Sequence, residues 1–316
     1  GDGHDTGQLD LRHRDHRHGV TTPNGHGAAR VGLATCAARP TGDPDDAFLV
    51  EALRARGLGV EWIVWSESDP RDLSESVDLL VLRSTWDYTR NLQGFLSWLD
   101  ESPVPVCNSP SLVRWNSDKS YLVELASAGV PTVPTVTIHS TEQPWSVPEG
   151  YAEFVVKPAV GSGSLGAQRF LCGDVEGGQE HIEALLDLGL SVLIQPYLPS
   201  VDEGSETGLV HIDREFSHAV TKGPMLRREG PVEPVDGLYL AKHMGARTAT
   251  DTHKQVAALV LEALPELELL YARIDLVDGL DGSPLLLEVE AVEPLLFFAF
   301  RPAAAEYLAD AIVKRL

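Results

Sequence analysis

The stretch FVVKPAVGSGSLGAQRFLC, residues 154–172, decides the fold. Its apolar start reads as a β-strand, and GSGSLG, residues 161–166, matches the G-x-G-x-x-G spacing of nucleotide-binding loops, which alone is a weak signal. A dinucleotide fold needs a helix after the third glycine. Here AQRFLC resumes a strand pattern, so the glycines form the tip of a β-hairpin. A Walker A loop fails for want of Gly-Lys-Ser/Thr. Protein kinases also lay a Gly-rich hairpin over phosphates, but their lysine follows the loop, no DFG occurs in this chain, and no HRD follows the loop. Lys157 precedes the loop instead. The pattern implies a flap in which the backbone amides of Gly161, Ser162, Gly163, Ser164 and Gly166 cover phosphates while Lys157 neutralises charge at the base. A merely flexible hairpin accounts for the glycines and leaves the lysine unexplained.

Lysine is scarce elsewhere. The chain has six, and three of them stand in distinctive surroundings: Lys119 in WNSDKSYL, Lys157, and Lys222 in FSHAVTKGP. A compact ammonium suits the gripping of phosphate as a point charge. The net charge of −22 opposes nucleic-acid backbones and anionic membranes, so any nucleotide must be met by locally concentrated cations and by metal. With 316 residues, 43% of them hydrophobic, the chain can build two or three packed subdomains. Cys36, Cys107 and Cys172 are far apart and lack CxxC spacing, which indicates reduced thiols and no zinc site. No apolar run reaches membrane-span length and no signal-peptide core is seen, so a cytoplasmic location is expected. Residues 1–29, rich in His and Gly, read as a disordered tail.

Ordered structure is expected from Arg30. RVGLATC, VEWIVW, VDLLVLRS and VPVCNS read as strands, with DDAFLVEALRARG and LQGFLSWLDE as helices between them, giving an N-terminal open parallel α/β domain over 30–115. Ligands in such domains bind at the carboxyl ends of the strands. The loop RSTWDYTR lies there, and offers Arg83, Ser84, Thr85, Asp87 and Tyr88 as substrate contacts; a helix cap with a core Trp86 fits equally. SLVRWNSDKSYLVELASAG reads as a helical segment broken at Asn116-Ser117-Asp118, which puts Lys119 in a helical first turn near free N–H groups. A central lid subdomain is expected over 116–198 and a C-terminal subdomain over 199–316.

Two further motifs carry chemistry. In SVLIQPYLPSVDE an apolar strand runs into a polar exit, so the backbone of Gln195, Pro196, Tyr197 and Leu198 could pair with an adenine edge while Asp202 or Glu203 receives ribose hydroxyls. ARIDLV and LLLEVEAVEP are strands joined by the turn-rich DGLDGSP, hence a hairpin, and period-two alternation puts Glu288 and Glu290 on one face. With Asp275 opposite them, three carboxylates converge between apolar walls. Such a cluster is costly without a cation, and Mg²⁺ takes hard oxygen ligands together with nucleotide phosphates.

As a set, these motifs resemble the ATP-grasp superfamily of carboxylate-amine ligases, over about residues 31–316. Within it, RSTWDY, WNSDK, QPYLPS, FSHAVTK and ARIDLV look like the branch containing the O-ureido-serine cyclo-ligase of cycloserine biosynthesis. The resemblance implies an α/β (α+β) fold whose small β-rich lid and C-terminal antiparallel sheet clamp ATP. It implies that Lys119 and Lys157 bind phosphates, that Asp275, Glu288 and Glu290 hold Mg²⁺, and that Arg273 and Lys222 stabilise the transferring phosphoryl group. It further implies an amino-acid-like substrate, cyclised through an acyl phosphate, and a possible homodimer. The commoner family pattern has Glu-x-Asn where this chain has Glu288-x-Glu290, which leaves the number of metals open. An intermolecular amino-acid ligase shares every nucleotide residue named, and a non-catalytic ATP-binding protein is a further alternative.

Overall fold

The computed structural model describes residues 27–204, 206–224, 226, 234–235, 239–240 and 244–316, so the expected tail lies outside the described residues as far as residue 26. Apolar runs without alternation make central strands of parallel sheets, and three of them build the first sheet. Arg30–Thr35 (β1) lies between Gly59–Val64 (β2) and Leu79–Ser84 (β3), with Val106–Cys107 (β4) beyond, all parallel, in the order β2-β1-β3-β4. The crossovers carry Ala47–Ala55 (α1), the short Leu73–Ser76 (α2) and Leu92–Asp100 (α3). Every residue of β3 is buried, as a strand covered on both faces requires. Past the end of α1, Gly57 takes φ +78°, a left-handed closing position that a Cβ would strain.

Pro110–Ser117 (α4) and Tyr121–Ser127 (α5) are separated by a turn. Lys119 lies in that turn and not in the first turn of a helix. The Asp118 carboxylate accepts the Ser120 N–H at 2.9 Å, and the Lys119 N–H is drawn to the Ala159 carbonyl at 2.9 Å, beside the glycine hairpin. The proline-rich connector that follows is extended and is laced to the C-terminal sheet through Val133 N–H to the Leu286 carbonyl (2.9 Å) and Leu286 N–H to the Pro131 carbonyl (2.7 Å).

The second sheet joins Val136–Ile138 (β5), Glu153–Pro158 (β6), Gln168–Leu171 (β7) and Val192–Pro196 (β8) in the antiparallel order β5-β8-β6-β7. Residues 161–166 cap the β6-β7 hairpin. Val175–Asp187 (α6) covers one face by packing Ile182 and Leu185 on Phe154, Val156 and Ile194.

The third sheet contains Glu206–Ile212 (β9), Glu215–Lys222 (β10), Met244–Arg247 (β13), Tyr271–Asp278 (β14) and Pro284–Glu290 (β15), antiparallel in the order β13-β10-β9-β14-β15. Pro234–Val235 (β11) and Tyr239–Leu240 (β12) form a separate two-stranded ribbon. Asp251–Glu262 (α7) and α5 cover one face of the third sheet in a shared core. Ala303–Val313 (α8) returns to pack on α1 and β1, where Arg56 bonds Glu306 and Asp310 at 2.6 and 2.7 Å. Parallel and antiparallel sheets thus coexist, as the α/β expectation requires. No helix among the described residues is long and apolar enough to cross a membrane, and all three cysteines are free.

His211 is buried on β9 against Phe216, and burial pushes its imidazole down to about 4. Its folded-state pKa lies below its unfolded value, so its contribution to stability is full above pH 6.5 and is lost as pH falls toward 4. Between pH 7 and pH 5 the wild-type protein should lose about 2 kcal/mol that His211→Gln does not lose, measured by urea unfolding at both pH values.

Candidate active site

The site is built on strand register. In the β14-β15 hairpin Asp275 lies opposite Glu288 and Arg273 opposite Glu290, while in the β9-β10 hairpin Glu206 lies opposite Lys222. One face of the sheet therefore carries a lattice of alternating charge. Asp275 has no exposed surface; it accepts Arg273 Nε at 2.8 Å, Arg273 Nη2 at 3.0 Å and Lys222 Nζ at 2.5 Å. Arg273 also pairs with Glu290, and Lys222 with Glu206. Burial pushes the Asp275 carboxyl up, but Arg273 and Lys222 outweigh it and hold the group well below the usual carboxylate range. Glu288 is likewise lowered, because Lys119, at 3.2 Å, and Lys157 overcome its desolvation. Glu290 goes the other way: burial raises it and Arg273 compensates only partly.

Space for the lattice comes from Gly208 on β9, which lies opposite Asp275. A Cβ there would stand 2.9 Å from Asp275 Oδ1 and 3.0 Å from Arg273 Cδ. The residue is small because the buried ion pair occupies its side-chain position.

A single cavity wall brings together Lys119, Lys157, Lys222, Arg273, Glu288 and Glu290, with the flap residues Gly161, Ser162, Gly163 and Ser164 and the β8 exit residues Gln195, Pro196, Tyr197 and Leu198. Gly166, with φ +74°, closes the hairpin tip just behind them. Burial pushes the Lys157 ammonium down to about 8. Lys119 Nζ donates to the Gly161 carbonyl at 2.5 Å, and Ser162 Oγ donates to the Trp86 carbonyl at 2.8 Å, so the flap rests on the α4-α5 turn and on the loop after β3. Gln195 Nε2 donates to Thr135 Oγ1 at 2.9 Å, which anchors the strand exit to the connector.

Other sequence-named residues stand away from this wall. Asp202 is engaged by Arg169, at 3.0 and 3.1 Å, and by the Tyr197 hydroxyl at 2.7 Å; Glu203 is exposed. In the loop after β3, Tyr88 and Trp86 line the cavity, whereas Arg83, Ser84, Thr85 and Asp87 lie behind it. The Arg83 guanidinium, buried with its strand, is neutralised by Asp46 at 2.9 Å and donates to the Pro294 carbonyl at 3.3 Å. Ser84 Oγ meets Thr35 Oγ1 at 2.8 Å, and Asp87 accepts Trp65 Nε1 at 2.7 Å.

Two cavity carboxylates escaped the sequence reading. Glu206 is hidden by a bulge near Ser217, since regular pairing back from the Asp213-Arg214 turn misses it by one residue. Glu293 follows the end of β15, where period-two alternation no longer applies. Burial, with Glu290 adding to it, pushes the Glu293 carboxyl up to about 8.

Comparison with known proteins follows the same lines. Residues 31–108 match the family described as D-cycloserine synthetase DcsG, N-terminal domain. The cycloserine biosynthesis protein DcsG of Streptomyces lavendulae is 36% identical over 288 residues, covering 87% of this chain and 94% of that protein. The crystal structure of D-cycloserine synthetase DcsG superposes with a TM-score of 0.80 at 32% identity, over 91% of this chain and 99% of that one. D-alanine–D-alanine ligase from Bacillus anthracis shares the fold at 18% identity, with a TM-score of 0.62 over 91% of this chain and 97% of its own. The fold is that of the ATP-grasp ligases. The chain belongs to the D-cycloserine synthetase DcsG family and is an ADP-forming ligase.

Gly208→Ala should displace the Arg273–Asp275 pair and lower kcat by about 10²-fold, the cost of misplacing a reacting constellation by about an ångström. Steady-state ADP release checks this against an unchanged far-ultraviolet spectrum.

Proposed function

We propose that the enzyme activates the carboxylate of O-ureido-D-serine as an acyl phosphate, which a nitrogen of the same molecule then captures to close the ring. The observation that carries this reading is the convergence of Lys119, Lys157, Lys222 and Arg273 with Glu288 and Glu290 on one cavity, Asp275 grouped with the two glutamates beneath its surface, in a chain 36% identical to a cycloserine biosynthesis protein. Lys119 and Lys157 would grip the phosphates of ATP, with the flap amides above them and adenine against the 195–198 exit. A carboxylate oxygen attacks the γ-phosphorus, the bond to the β-phosphate oxygen breaks and ADP leaves. Lys222 and Arg273 meet the charge that spreads over the phosphoryl oxygens, which is electrostatic rather than covalent catalysis.

Asp275, Glu288 and Glu290 each offer an oxygen, all within 4.8 Å of one another. This hard donor set fits magnesium. When bound, Mg²⁺ would supply Lewis-acid polarisation of the phosphoryl oxygens. The flap, seated on Trp86 and Lys119, excludes water from the acyl phosphate, so that nitrogen attack on the carbonyl carbon expels phosphate before hydrolysis can.

Incubation with ATP, Mg²⁺ and O-ureido-D-serine should release ADP in step with a cyclised product seen by mass spectrometry, and neither should form without the amino acid. ADP formation only when a second amine is added would move the reading to intermolecular ligation. Glu288→Gln should reduce turnover by about 10²-fold or more, the scale of losing one preorganised electrostatic element. Activity near wild type in that variant would refute the metal assignment.

A further inference from the structure

Five carboxylates belong to the cavity cluster, and four of them have cationic partners: Glu206 and Asp275 on Lys222, Glu288 on Lys119, Glu290 on Arg273. Glu293 lines the same cavity and has no ion pair or side-chain hydrogen bond among the described residues. Trp86 and Tyr88 line the same cavity, and Trp86 Nε1 reaches the Glu293 carbonyl. Burial and the neighbouring Glu290 push the Glu293 carboxyl up, and Lys119 and Arg273, neither of them in contact with it as an ion pair, offset this only in part.

The position is also held in place. After β15 the chain leaves the sheet, and five consecutive carbonyls are met by side chains from elsewhere. Ala291 accepts Asn108 Nδ2 at 2.7 Å, and Val292 faces the Tyr271 hydroxyl at 3.1 Å. Glu293 accepts Trp86 Nε1 at 3.1 Å, Pro294 accepts Arg83 Nη2 at 3.3 Å, and Leu295 accepts Arg273 Nη1 at 3.0 Å. A surface acid receives no such support. The Trp86 residue that holds the Glu293 backbone also receives the flap through Ser162, so the carboxylate lies where the loop after β3, the glycine hairpin and the end of β15 meet.

We propose that Glu293 binds the α-ammonium group of the substrate and thereby selects an amino acid over a plain carboxylic acid. An ammonium would give Glu293 a direct ionic partner, its approach to Trp86 and Tyr88 is favourable toward aromatic faces, and the carboxylate borne on the same α-carbon is left to point at Arg273. This rests on the cyclo-ligase reading for the choice of substrate.

The test compares O-ureido-D-serine with its counterpart bearing hydrogen in place of the α-amino group, with ATP and Mg²⁺, in wild-type enzyme, Glu293→Gln and Glu293→Asp. Wild type should prefer the amino acid by about 10- to 100-fold in kcat/KM, the worth of a hydrogen bond to a charged group. In Glu293→Gln that preference should fall toward unity through a raised KM for the amino acid, with kcat and the KM for ATP little changed, and Glu293→Asp should restore part of it. Undiminished preference in Glu293→Gln, or a loss confined to kcat, would overturn the assignment while leaving cyclisation intact. Wild-type enzyme that turns over neither acid would overturn the cyclo-ligase reading and the assignment together.

Discussion

Asp275 is a fully buried carboxylate, and the architecture of the third sheet follows from keeping it charged. Desolvation of such a group costs several kcal/mol, which only close counter-charges and hydrogen bonds offset. Arg273, two residues earlier on the same strand, and Lys222, reaching across from β10, share its two oxygens. Each of these cations then holds a second acid, Glu290 and Glu206. Strand register is consequently not free. A slip of one residue would turn the alternate charged positions into the apolar core packed under α7 and α5 and bring aliphatic side chains to the cavity. Gly208 belongs to the same constraint, because Lys222 reaches Asp275 only if the strand between them carries no side chain at that point.

The backbone after β15 meets a different requirement. Buried carbonyls must find donors whether or not a sheet supplies them. Over residues 291–295 the donors are side chains: Asn108, Tyr271, Trp86, Arg83 and Arg273. Three of the five come from the N-terminal domain or the end of its last strand. Here the parallel domain is welded to the antiparallel one, and this explains why the loop after β3 is rich in polar and aromatic residues. Arg83 is a brace in the wall; Asp46 supplies the charge that allows a guanidinium to be buried there.

Local sequence pattern was enough for what depends on neighbours along the chain. The β6-β7 hairpin, the break between α4 and α5, the extended connector and the pairing of Asp275 with Glu288 all follow from periodicity, glycine and proline. What it could not show depends on partners distant in sequence or on one-residue irregularities. Glu206 was missed because a bulge shifts the β9-β10 register, and Glu293 because the chain abandons its strand period at Ala291. Arg83 and Asp202 were read as ligand contacts because each is a charge in a plausible loop. Asp46 and Arg169, which engage them, lie 37 and 33 residues away.

Lys119 joins these parts, and its place in a turn rather than a helix is what allows it. Its N–H holds the Ala159 carbonyl at the base of the flap, its ammonium holds the Gly161 carbonyl and reaches Glu288. A helical first turn would direct the N–H along a helix axis and leave the hairpin untethered. In the turn, one residue contacts both the glycine hairpin and β15. The Lys119 ammonium is shared between a carbonyl of the hairpin and a carboxylate of β15, so one side chain sets the spacing of two surfaces that line the same cavity.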